Sequence, residues 1–131
     1  VQWILKGDAG QRALLAWAMG WKPAQDVSGR DWLYPYLMYS LTDSYAAVRF
    51  DAWKSLQTLP GFEGYPFKFT DDENGLTRAA GAAIDHWSRD VRAQKASFPP
   101  HTGLDPGGQP QREIFNRLRE QRDEKRIILA E

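Results

Sequence analysis

Along most of the chain apolar residues recur every three or four positions, the spacing of one buried stripe on a helix. Between Asp8 and Met19 that face is Leu14, Leu15, Trp17 and Met19, padded by alanines. Asp8 can cap this helix, Gln11 stands where it can reach back to the cap, and Gly20 provides the stop. Trp21–Gly29, with Lys22-Pro23 and Ser28-Gly29, reads as a loop. Asp31 opens a second helix, to about Thr42, with Trp32, Leu33, Tyr36, Leu37 and Leu41 as its bulky positions. Pro35 falls near its start, where a missing N–H costs little. Asp43-Ser44 marks a tight turn. A third helix, Tyr45–Thr58, places Val48, Ala52, Trp53 and Leu56 on one face.

Leu59-Pro60-Gly61 ends that helix, and the rhythm changes. In Phe62–Phe69 the aromatics Tyr65, Phe67 and Phe69 alternate, which suits an extended loop laid over the helices. Thr70-Asp71-Asp72-Glu73 predicts a capping box, and behind it a long helix to about Ala96 with Leu76, Ala80, Ile84 or Ala83, Trp87 and Val91 to bury. Four prolines and three glycines in Phe98–Pro110 require a loop. Gln111–Asp123 forms a last, highly charged helix that buries Ile114, Phe115 and Leu118, and Ile127-Ile128-Leu129 is an apolar tail expected to dock in a groove. At the other end, Val1–Leu5 reads as the end of a helix that begins upstream of Val1.

The expectation is an all-α fold: antiparallel helical hairpins, a long helix, a Pro/Gly-rich loop and a C-terminal helix with a docked tail. The 131 residues suit a single domain. Seventeen basic residues balance seventeen acidic ones, and no segment forms a basic footprint, so neither nucleic acid nor an anionic membrane is favoured. No apolar run reaches the length of a membrane span. With no cysteine, thiol nucleophiles, iron–sulfur clusters and covalent haem attachment within the chain are excluded.

Candidate chemistry is sparse. His86 and His101 are the two histidines; neither has a partner at metal-ligand spacing, and both read as surface or partly packed residues. Asp71-Asp72-Glu73 lacks the alternating ligands of a calcium loop. No Gly-x-Ser-x-Gly or phosphate-binding loop occurs. No catalytic residue, cofactor or metal is therefore assigned. Of the aromatics, Trp17, Trp32, Trp53 and Trp87 suit packing between helices, whereas Trp21, Tyr34 and Tyr39 fit the core less well and mark a contact surface.

Two stretches repeat. Gln11–Met19 can be laid on Val48–Leu56 at an offset of 37, each after an apolar helix end and a short polar turn. The run Leu33, Pro35, Tyr36-Leu37, Leu41, Asp43, Val48-Arg49, Ala52, Leu56 resembles a HEAT repeat, closely over Trp32–Leu56 and partly over Trp3–Met19. The resemblance implies repeat units in 1–59 and a degenerate unit or cap in 60–131. It gives Asp43, Arg49 and Arg12 structural roles: the carboxylate accepts backbone N–H groups at the turn, and the guanidiniums reach the adjoining unit. It further implies a non-catalytic scaffold that binds a protein partner or other domains of a larger protein. The whole is also similar to the repeat-bearing ends of large bacterial proteins, some of them multihaem cytochromes, which would make it a docking domain of a redox protein. A third class, HEAT-like enzymes acting on nucleic acid, would need a basic groove.

Overall fold

A computed structural model describes residues 2–92, 96 and 98–124. Helices dominate: α1 (Gln2–Lys6), α2 (Ala9–Met19), α3 (Lys22–Ser28), α4 (Leu33–Ser40), α5 (Ala46–Leu56), α6 (Glu73–His86) and α7 (Arg112–Glu120). Among the described residues the only β pairing is an isolated bridge between Leu104 and Pro110.

Helix α4 is the hub. Leu33 to Met38 and Ser40 are all buried, so this helix is apolar around nearly its whole circumference, as a helix enclosed by others must be. After the turn at Asp43, α5 runs back along it, and the Tyr34 hydroxyl at the start of α4 donates to the Pro60 carbonyl beyond the end of α5 (2.9 Å). Helices α1 and α2 form the preceding pair, joined at Gly7-Asp8, with Ile4 and Leu5 buried and Trp3 exposed.

The tightest packing joins α2 to α5, and they run parallel. Arg12 near the start of α2 meets Asp43 and the Tyr45 ring at the start of α5, while Gly20 at the end of α2 meets Ser55 near the end of α5. Ala16 and Ala52, both fully buried, let the backbones approach. At Gly20 a Cβ would stand 2.5 Å from Ser55 Oγ, so this close approach needs glycine.

The capping box at Asp8 and Gln11 is present in full, each side chain bonded to the other's backbone N–H. Other boundaries differ from expectation. Trp21–Gly29 contains α3, because Pro23 in a first turn starts a helix rather than breaking one. Buried Gln25 fastens α3 by donating to the Met19 carbonyl and Thr58 Oγ1. The cap of α6 is Asp72, not Thr70: Oδ1 accepts from Gly75 N at 2.7 Å, and Gly75 has no side chain to complete a box. The helix also stops before Ala96. After His86 it widens into a π turn, Trp87–Val91, closed by Arg92 N to Trp87 O, and Arg92 is extended. Its buried face is Leu76, Ala80, Ala83 and Trp87, with Ile84 turned outward.

Phe62–Phe69 is the expected loop over the helices. Residues 98–111 return across Trp87 and Tyr36, whose hydroxyl bonds the Thr102 carbonyl, and lead into α7. There Phe115 and Leu118 are buried, Phe115 stacking on Tyr36 and meeting Tyr39 edge-on. Val1 and the tail Ile127–Leu129 lie outside the described residues.

Candidate functional site

The structure brings Asp43 and Arg12 together and adds a residue that sequence patterns did not single out, Arg122. The Asp43 carboxylate, almost fully buried, takes Arg12 Nε on Oδ2 (2.9 Å) and Arg12 Nη2 on Oδ1 (3.1 Å). Arg122 Nη2 also reaches Oδ2 (3.1 Å), and Tyr45 N donates to Oδ1 (2.9 Å), so one carboxylate gathers four donors. Further bonds go to the end of α1. Arg12 Nη1 donates to Gly7 O, Arg122 Nε to Leu5 O and Asp123 N to Lys6 O. These are the carbonyls a helix end leaves without intrahelical partners. No local spacing signals Arg122; it stands 79 residues from Asp43.

Arg49 does a different job from Arg12. Its Nε donates to Phe69 O (2.7 Å) and its Nη1 to the carbonyls of Asp43 and Ser44. A difference in register between α2 and α5 accounts for the split. Helix ends keep the step of 37, Asp8 to Tyr45 and Gly20 to Gln57. The buried face does not: Arg12, Ala16 and Met19 answer to Val48, Ala52 and Ser55, a step of 36. One residue is about 100° of rotation. Arg12 therefore points inward at a core position while Arg49 lies at the flank.

Beside this node opens a cleft of about 710 Å³ between the α4–α5 turn, the start of α6 and the end of α7. Arg49, Arg119 and Arg122 line it, against Asp43, Asp71, Glu73, Glu120 and Glu124. Among the described residues, no three His, Asp or Glu side chains converge as metal ligands.

The aromatic candidates separate otherwise than expected. Trp17, placed in the core by its spacing, is 59% exposed, because α2 buries Ala9, Arg12, Ala16 and Met19 instead. Tyr34, placed on the surface, is buried between Phe62 and Trp87. Burial, aided by the charge of Asp31, pushes its phenol up to about 12. Tyr39 is half-buried against Phe115, and Trp21 is 58% exposed. Trp53 and Trp32 are half-buried and Trp87 is buried.

What emerges is one outward stripe: Leu14, Trp17 and Trp21 follow each other at helical spacing, Trp21 just past the end of α2. Trp17 and Trp21 wall an open slot of about 270 Å³ with Lys54, Ser55 and Thr58. Asp51 on α5 is half-buried, which raises its carboxyl above the usual range.

No family model, curated protein or solved structure matches the chain.

Proposed function

We propose that the chain is a HEAT-like helical-repeat domain that holds a protein partner, or other domains of a larger protein, and performs no chemistry itself. The observation that carries this reading is the stripe of α2. Leu14, Trp17 and Trp21 are 58 to 64% exposed and follow one another at helical spacing, and tryptophan is among the side chains most enriched where binding energy concentrates. The parallel course of α2 and α5, each behind a helix that runs back along it, supports the repeat reading. In that reading 1–59 supplies two units joined by Arg12 and Asp43, Arg49 ties the second unit to the loop after it, and 60–131 is a degenerate unit or cap.

The charge pattern favours protein over nucleic acid. A nucleic-acid groove aligns cations, whereas the cleft beside Asp43 sets five carboxylates against three arginines. No described helix is long and apolar enough to cross a membrane.

Photocrosslinking tests the proposal. A photoreactive residue at position 14 should give discrete protein adducts in an extract of the source cell. Combining it with Trp17→Ala and Trp21→Ala should abolish them while the thermal midpoint stays unchanged. Adducts confined to nucleic acid, or protein adducts that survive both substitutions, would overturn it.

A further inference from the structure

The loop that lies over α5 is fastened at one end by a histidine. His86, the last residue of α6, turns Nε2 to the carbonyl oxygen of Gly61 (2.8 Å) and Nδ1 to Oδ2 of Asp90 (3.1 Å). The ring also stacks on Tyr65, with centroids 5.7 Å apart and planes 20° apart, and meets Phe62 edge-on at 5.0 Å. The π turn carries Asp90 to this place, four residues past His86.

Both partners of the ring are acceptors. A neutral imidazole has one N–H and one lone pair, so it donates to one partner and sets its lone pair against the other. Only the imidazolium donates to both. We propose that His86 is a protonation-dependent clasp that, when charged, ties the Gly61 turn and the start of the aromatic loop to Asp90, and when neutral gives up one of the two ties.

Other charged groups lie on the elements around the clasp. The charged neighbours in sequence are Asp85, Arg89 and Asp90; Asp90 meets the ring, and Arg89 Nε donates to the Asp85 carbonyl. From the loop, Glu63 accepts Gly61 N at 2.8 Å, which puts another carboxylate beside the turn. The nearby phenols stay neutral: burial raises both Tyr65 and Tyr34, and the Tyr34 hydroxyl donates to Pro60 O.

The sign follows. Imidazole changes charge between pH 5 and 8. The second tie is present while the ring is charged and is lost as pH rises through its titration. This conclusion stands apart from whether α2 takes a partner.

Amide hydrogen exchange from pH 5.5 to 8, corrected for intrinsic rates, tests the clasp at Phe62 and Tyr65, whose N–H groups bond Leu59 O and Phe62 O. Their opening should increase about two- to five-fold across the titration, the scale of a half-exposed ion pair, in step with the ring signals of His86 and not those of His101. His86→Gln keeps a donor for Gly61 but cannot titrate, so its opening should not vary with pH. Asp90→Asn keeps the ring and removes the anion, and should shrink the step. A flat profile in the unaltered protein, or the same step in His86→Gln, overturns the proposal. Should His86→Gln fail to fold, an undiminished step in Asp90→Asn does so.

Discussion

Helices α2 and α5 are eleven residues each, lie side by side and run the same way, yet they treat their outward aromatics oppositely. On α5 the chain supplies its own cover. Phe69 meets the Phe50 ring edge-on at 5.1 Å and stacks on Trp53, Trp53 Nε1 donates to Tyr65 O, and Arg49 holds Phe69 O. On α2, Leu14, Trp17 and Trp21 have no such segment over them among the described residues. The difference teaches what an uncovered stripe lacks. The cover on α5 is an extended, aromatic run with a proline, Tyr65-Pro66-Phe67-Lys68-Phe69, which meets the helix by ring contacts and by carbonyls turned toward indole and guanidinium donors.

The comparison breaks most completely at the node that holds the two helices in register. Asp43→Ala leaves Arg12 and Arg122 buried without their carboxylate and should cost about 3–5 kcal/mol in urea unfolding. Trp53→Ala removes a half-buried ring and its bond to the loop. It should cost about 2 kcal/mol, below the 3–5 typical of a fully buried aromatic, and speed exchange of the 62–69 amides. Gly20→Ala forces a methyl against Ser55 where the helices touch, for about 1–2 kcal/mol. Trp17→Ala, the nearest counterpart of Trp53→Ala on the other helix, should change stability by less than about 0.5 kcal/mol. Should Trp17→Ala prove as costly as Trp53→Ala, the α2 stripe is covered within the protein and the contrast is lost.

Local chemistry was readable from the sequence, and long-range choice was not. The Asp8–Gln11 box, the turn at Asp43 and the extended aromatic loop all depend on neighbours within a few residues, and each stands where such rules put it. A helical wheel, by contrast, names a stripe without saying which stripe meets a neighbour. On α2 the bulky stripe through Leu14 and Trp17 lost to the small one through Ala9, Ala16 and Met19, because α5 approaches too closely for indoles between the backbones. Tyr34 was misplaced for the complementary reason. On an entirely enclosed helix even a hydroxyl-bearing ring goes inside, provided a carbonyl such as that of Pro60 receives it. Arg12 is the same lesson at the node, since it became a core residue only by virtue of the Asp43 carboxylate, 31 residues along the chain.

The carbonyls at the end of α1 carry a consequence for the order of events in folding. Leu5 waits for Arg122, 117 residues later, and Arg12 reaches the Asp123 carbonyl across 111. Contacts this far apart in sequence form late, because the loop they close loses its freedom before any bond compensates for it. While the chain is being made, the first hairpin emerges with its terminal carbonyls and a guanidinium committed to partners not yet synthesised. A turn written near one end of the chain is completed only by residues written near the other, and the two ends then stand or fall together.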